Sequence, residues 1–221
     1  MGTTFVKWEQ DLVKDIRLHD YRDDLDWPLV DKKFVFDGEL PQFPRWRQKH
    51  DFSKLNQLAL EKIFKLKCAG AKSILEIGVS RDTNKSATST SIFLDNKRKD
   101  CVYLGVDIET KTYLDNKKEN VNTLICRSEK VDFIMNHLRS LGVYEIDFLM
   151  IDGWHSINQV MTEWEFTNWL SPNGVVAFHD TAYHPGPHRF VNNLDTTKWC
   201  VIPNACAEET HDYGIGFAWR R

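Results

Sequence analysis

Apolar and polar positions alternate in a regular way along most of this chain. From Gly70 onward, short apolar runs are separated by amphipathic stretches. The runs are Ser73–Ile77, Val102–Val106, Asn122–Cys126, Ile146–Ile151, Val175–Phe178, Trp199–Ile202 and Gly214–Trp219. Short runs rich in Ile, Val, Leu and Phe are the mark of strands buried on both faces of a parallel sheet. Between them, Val131, Ile134, Met135 and Leu138 recur at i, i+3, i+4 and i+7 and predict a helix. Ile157, Val160, Met161 and Trp164 repeat that spacing, and Ser156 with Gln159 reads as a capping box that opens the helix. Strand–helix alternation of this kind predicts a doubly wound α/β sheet with right-handed crossovers.

Upstream the pattern is different. Residues 1–50 carry Trp8, Trp27, Trp46, Pro28, Pro41 and Pro44 without a sustained period of 3.6 or 2. They read as an N-terminal arm with one short helix near Glu9–Leu18, and the scattered aromatics predict that the arm packs on something. The second segment, residues 51–221, begins with a helix capped by Asp51 or Ser53, whose apolar face is Leu55, Leu58, Ile63 and Phe64.

Charge narrows the partners. Lys and Arg number 29 against 32 Asp and Glu, so the net charge is −3, and no bulk field draws the chain to nucleic acid or to an anionic membrane. There is no apolar run of about 18 residues to span a bilayer, and the first residues lack the apolar stretch of a secretory signal. Cys68, Cys101, Cys126, Cys200 and Cys206 are odd in number and never spaced CxxC. Reduced, mostly buried thiols are expected, which fits a cytoplasmic location.

Ligands of an open α/β sheet bind beyond the carboxyl ends of its strands, near the point where strand order reverses. Candidate chemistry therefore lies just after each run. After the first come Glu76, Gly78 and Ser80, where a glycine permits a tight turn and close approach of a ligand. The same residues also read as a plain strand-to-helix turn. Neither GxGxxG nor GKS/GKT is present, which disfavours a P-loop and a nicotinamide-dependent Rossmann enzyme. Asp107 ends the second run, where an acid holds ribose hydroxyls or caps the next helix. Ser128 reads equally as a helix cap or as a hydroxyl over an adenine. Asp152 follows the fourth run and His179-Asp180 ends the fifth, so all three converge on one rim. Two carboxylates and an imidazole facing one point disfavour each other unless a cation sits between them. His155, three residues past Asp152, is placed to take a proton near neutral pH. Singly, each of these residues reads as a cap or a core histidine; four together at two adjacent strand ends point to function. The stretch Tyr183–Arg189 is too proline-rich to start as a helix and is expected to form a second wall of the acceptor pocket, with His184 or His188 as a substrate contact.

LEIGVS with Asp107 downstream, followed by DFLMIDGWHSINQVMTEWEFTNWLSPNGVVAFHDT, resembles the class I S-adenosylmethionine-dependent methyltransferases. Within that class it is similar to metal-dependent small-molecule O-methyltransferases of the catechol, macrolide-sugar and cephalosporin-hydroxylase-like type. The resemblance covers residues 71–221 and is most specific over 147–181. It implies a Rossmann-like seven-stranded sheet with an antiparallel last strand near Asp212–Trp219. It also implies that Glu76, Gly78 and Ser80 shape the pocket for the cofactor's methionine part, that Asp107 binds ribose, and that Ser128 lies at the adenine. Asp152, a shared cofactor and metal residue, would bind a divalent ion, commonly Mg2+, together with His179 and Asp180, and His155 would be the general base. The implied acceptor is a hydroxylated small molecule such as a sugar, phenol or natural product, with the arm as a lid and a homo-oligomer compatible with the sequence. The chain departs from the pattern in placing His179 where an acid is usual and in lacking a second glycine after Gly78. Two rival classes fit some of the same residues: a metal-dependent hydrolase around zinc or manganese, and a non-catalytic cofactor-binding module.

Overall fold

The computed structural model describes residues 54–80, 88–182, 184–205 and 213–221. The arm of residues 1–50 with its expected helix, both candidate caps Asp51 and Ser53, Tyr183 and Cys206 lie outside the described residues.

Helix α1 (Lys54–Lys67) leads into β1 (Ser73–Ile77), α2 (Ser89–Asn96) and β2 (Val102–Asp107). Two 3-10 turns precede β3 (Val121–Ile125), followed by α3 (Val131–Ser140), β4 (Ile146–Ile151) and α4 (Ile157–Trp164). Strand β5 (Leu170–His179), α5 (Pro185–Asn192), β6 (Trp199–Ile202) and β7 (Ile215–Arg220) complete the chain. The strands form one seven-stranded sheet in the order β3-β2-β1-β4-β5-β7-β6. Strands β1 to β5 are parallel, and β7 runs antiparallel between β5 and β6. The predicted doubly wound architecture and antiparallel last strand are both present, and the order reverses between β1 and β4.

The two faces of the sheet bury separate apolar layers. Ile134, Met135 and Leu138 of α3, Val160 of α4 and Phe190 of α5 cover one face over Leu75, Leu149 and Val176. Leu60 and Phe64 of α1 and Phe93 of α2 cover the other over Ile74, Tyr103 and Phe148. Phe64, Phe93 and Phe148 meet with ring centroids 5.1–5.7 Å apart, in the tilted and edge-on arrangements that aromatic quadrupoles favour.

Three expectations need correction. The buried face of α1 is Asn56, Leu60 and Phe64, a strict i, i+4, i+8 stripe, and Leu55 and Leu58 are exposed. The sheet contacts a narrower stripe than the apolar content of the helix suggested. Helix α5 begins at Pro185, its first residue. Proline has a preset φ, and its missing N–H is an orphan at that position in any helix, so it opens the helix and does not prevent it. Gln159 completes only half of the expected capping box: its backbone N–H donates to Ser156 Oγ at 3.1 Å, while its side chain turns to Ser128 and Glu163.

Close backbone approach at the switch point sets the geometry of the rim. The Asp152 N–H donates to the Ile77 carbonyl and the Gly78 N–H to the Val106 carbonyl, each at 2.9 Å. Gly78 turns with φ +81°, and a Cβ there would overlap the Asp152 carbonyl oxygen. A left-handed φ costs a non-glycine residue about 1–3 kcal/mol, and the overlap adds to it. Gly78→Ala is expected to lose more than about 3 kcal/mol of stability, measured by urea unfolding. A midpoint equal to that of the unchanged chain would contradict this account of the turn.

Candidate functional site

Glu76 is fully buried in mid-sheet and spends its carboxylate on hydroxyls. Ser89 Oγ donates to it at 2.5 Å and Thr90 Oγ1 at 3.0 Å, and the Tyr103 hydroxyl also donates. Burial pushes Glu76 up to about 7 despite these bonds. Because Thr90 Oγ1 also accepts from the Ser80 N–H at 3.2 Å, Glu76 ties the loop after β1 to the first turn of α2. Asp107 braces the same loop from β2. Its Oδ2 accepts from the Val79 N–H at 3.0 Å and its Oδ1 from the Glu109 N–H at 2.8 Å. These bonds use about two of the four lone-pair sites of a carboxylate, so Asp107 retains acceptor capacity at the rim.

Ser128 does not cap α3, whose N-cap is Lys130 without a side-chain bond. Its hydroxyl donates to Glu163 Oε1 at 2.7 Å and accepts from Gln159 Nε2 at 2.6 Å, and Gln159 also donates to Glu163 at 3.0 Å. Glu163 is fully buried and lies so close to the loop after β4 that a Cβ on Gly153 would overlap its carboxylate. Burial pushes Glu163 up to about 7 against the opposing bonds from Ser128 and Gln159. Sequence reasoning missed this residue. Its one available signal was an acid on the apolar side of α4, at i+4 from Gln159.

The ends of β4 and β5 bring Asp152, His155, His179 and Asp180 together, as their positions predict. His179 Nδ1 lies 3.1 Å from Asp152 Oδ1 and 3.5 Å from Asp180 Oδ1. His155 Nε2 lies 2.6 Å from Asp180 Oδ2 and 3.6 Å from Asp152 Oδ1. Asp180 adopts φ +60°, a strained conformation for a non-glycine residue. Burial opposes ionisation of both carboxylates, yet His179 first, then His155, hold Asp180 well below the usual range, and the same histidines lower Asp152. Burial alone would lower His155; Asp180 and Asp152 outweigh it and raise the imidazole to about 10. His184, the N-cap of α5, stacks on His155 with centroids 4.1 Å apart and planes 6° from parallel. Burial and then the neighbouring His155 push His184 down to about 4. His188 instead donates from Nδ1 to the Thr181 carbonyl at 2.8 Å. Trp154, beside the cluster, is half exposed.

Asp152, His179 and Asp180 each offer a donor atom within 4.8 Å of the others, and His155, Asp180 and His184 form a second such group. Asp180 Oδ1 is buried and takes no hydrogen bond. His179 Nδ1 lies 3.5 Å from that oxygen, but a buried acceptor without a hydrogen bond is costly, so this donor set suits a cation. Among the described residues, Cys68, Cys101, Cys126 and Cys200 are free thiols, and no helix is long and apolar enough to cross a membrane.

Comparison with known proteins places the fold. No protein-family model matches the chain, and no curated protein matches it in sequence. Solved structures do match. The MycE methyltransferase of mycinamycin biosynthesis, in complex with Mg, SAH and mycinamycin VI, superposes at TM-score 0.54 with 14% identity, covering 74% of this chain and 48% of its own. The chain thus spans about half the length of MycE. An rRNA methylase from Streptococcus thermophilus matches at 0.52 with 9% identity, covering 72% and 93%. A fibrillarin/Nop5p complex matches at 0.50 with 16% identity, covering 76% and 81%. The fold is that of the class I S-adenosylmethionine-dependent methyltransferases.

Glu163 provides a stability test. A carboxyl whose folded pKa exceeds its unfolded value favours folding at low pH, and that contribution is lost as pH rises from the unfolded value near 4.5 to about 7. Glu163→Gln keeps the acceptor oxygen and removes the titration. It is expected to raise unfolding stability at pH 8 by on the order of 2 kcal/mol and to approach the unchanged chain at pH 5, measured by urea unfolding. A difference independent of pH would contradict the assignment.

Proposed function

We propose that this protein transfers a methyl group from S-adenosylmethionine to a hydroxyl of a small molecule, assisted by a divalent ion and by His155. The observation that carries this reading is the position of His155, held at the strand rim with its Nε2 at 2.6 Å from Asp180 Oδ2 and facing Asp152. Asp152, which His155 faces, abuts the glycine turn at which folds of this class bind ligands.

The turn at Gly78, with Ser80 and the buried anchor Glu76 beneath it, would shape the methionine end of the cofactor pocket. Asp107 would hold the ribose, Ser128 would stand at the adenine, and Asp152 would border both cofactor and ion. S-adenosylmethionine supplies a sulfonium methyl that needs no further activation. A divalent ion held by Asp152, His179 and Asp180 would supply charge that lowers the pKa of the acceptor hydroxyl and offsets the carboxylate field on His155. The chain's own residues then have two tasks. They direct the acceptor oxygen in line with the methyl, and the His155 imidazole receives the hydroxyl proton at Nδ1, the nitrogen not paired with Asp180, while Asp180 Oδ2, facing Nε2, stabilises the imidazolium formed. The oxygen–carbon bond forms, the sulfur–carbon bond breaks, and S-adenosylhomocysteine leaves.

A hydroxyl on a small molecule is preferred to RNA as the acceptor because the net charge of −3 provides no bulk attraction to a phosphate backbone. General-base catalysis contributes roughly 10²–10⁴ in rate. His155→Ala is therefore expected to lose turnover by that factor across a panel of hydroxylated acceptors, while calorimetric S-adenosylmethionine affinity stays within about threefold. Equal loss of cofactor binding would reassign His155 to structure. A metal-loaded chain that does not bind S-adenosylmethionine would overturn the reading in favour of a hydrolase.

A further inference from the structure

The rim contains two overlapping donor groups that share Asp180, and their geometry separates them. His155 and His184 stack with planes 6° from parallel and centroids 4.1 Å apart. A metal ion lies close to the plane of each imidazole that binds it, and two stacked planes 6° from parallel meet only far from the rings. These two rings therefore cannot both ligate one ion in good geometry. The group of Asp152, His179 and Asp180 has no such conflict. His179 is buried at the end of β5, and its Nδ1 points at the same place as Asp152 Oδ1 and Asp180 Oδ1. Asp180 Oδ1 is buried without a hydrogen bond, and the left-handed backbone at Asp180 holds its carboxylate there at some cost in strain.

This donor set is one nitrogen and two carboxylates. Magnesium prefers an all-oxygen octahedron and keeps several of its waters. Imidazole is a borderline ligand that suits iron, cobalt, nickel, copper and zinc, and affinity for nitrogen-containing sites rises from manganese to copper and falls again at zinc. We infer that the centre formed by Asp152, His179 and Asp180 takes a divalent transition-metal ion in preference to magnesium, with His179 Nδ1 as the selecting donor. The inference rests on the proposed placement of a divalent ion at this rim and specifies which ion. It leaves His155 outside the coordination sphere, stacked on His184 and available to the acceptor.

The test uses the tag-free full chain, stripped with a chelator. Co2+ binding is followed by its visible d–d absorption and Mg2+ binding by calorimetry. Co2+ is expected to bind on the order of 100-fold more tightly than Mg2+, and His179→Asp, which makes the donors all oxygen, is expected to shrink that ratio at least tenfold. Independently of whether His179→Asp folds, nitrogen-15 histidine spectra of the unchanged chain with Zn2+ give a second readout, in which one imidazole should show a metal-bound Nδ1. A Co2+ to Mg2+ ratio below about ten, no binding of either ion, a ratio unchanged in folded His179→Asp, or no metal-bound imidazole would overturn the assignment. S-adenosylhomocysteine binding is measured on the same samples. Its loss with the ion preference intact overturns methyl transfer alone; its persistence with magnesium preferred overturns the ion assignment alone.

Discussion

The rim depends on charge compensation in a site largely removed from water. Two carboxylates, Asp152 and Asp180, lie within hydrogen-bond or ion-pair reach of two imidazoles, His155 and His179. A buried carboxylate stays ionised only where positive neighbours outweigh the loss of hydration, and here each acid faces both rings. Removing one member would leave another charge uncompensated. The four residues therefore act as a unit, and the strained backbone of Asp180 is tolerated because the unit over-determines its position.

A second layer of buried polar groups holds the loops around that unit. Glu76, through Ser89, Thr90 and Tyr103, ties β1 to the start of α2. Glu163, through Ser128 and Gln159, ties the segment after β3 to α4 and packs against Gly153 after β4. Both acids are raised to about 7 by burial, so the fold carries a cost near neutral pH to hold these contacts. Under the proposed methyl transfer that cost is intelligible, since small misplacements of donor and acceptor lose large factors in rate.

Much of this was legible in the residues. Apolar runs at Ser73–Ile77 and Ile146–Ile151 coincide with β1 and β4, because strands buried on both faces admit little but apolar side chains, and the run Trp199–Ile202 coincides with the half-buried edge strand β6. The convergence of Asp152, His179 and Asp180 was legible too, since parallel neighbouring strands place their carboxyl ends on one side. The hydrogen-bond pairing of Ser128 was not: its partners Gln159 and Glu163 lie more than thirty positions away, and no local pattern specifies such a pairing. The exposed Leu55 and Leu58 show the same limit, because apolar content alone does not say which side of a helix meets the sheet.

The sequence by itself determined the class of fold and the list of groups at the strand ends, through periodicity and the rule that strand termini bear the chemistry. Only the tertiary structure decided how those groups divide their work. It stacked His184 on His155, turned His179 Nδ1 toward two carboxylates, and buried Glu163 against Gly153. Those choices depend on distances between residues remote in the chain, and they are settled by packing and desolvation, which act only once the layers have closed.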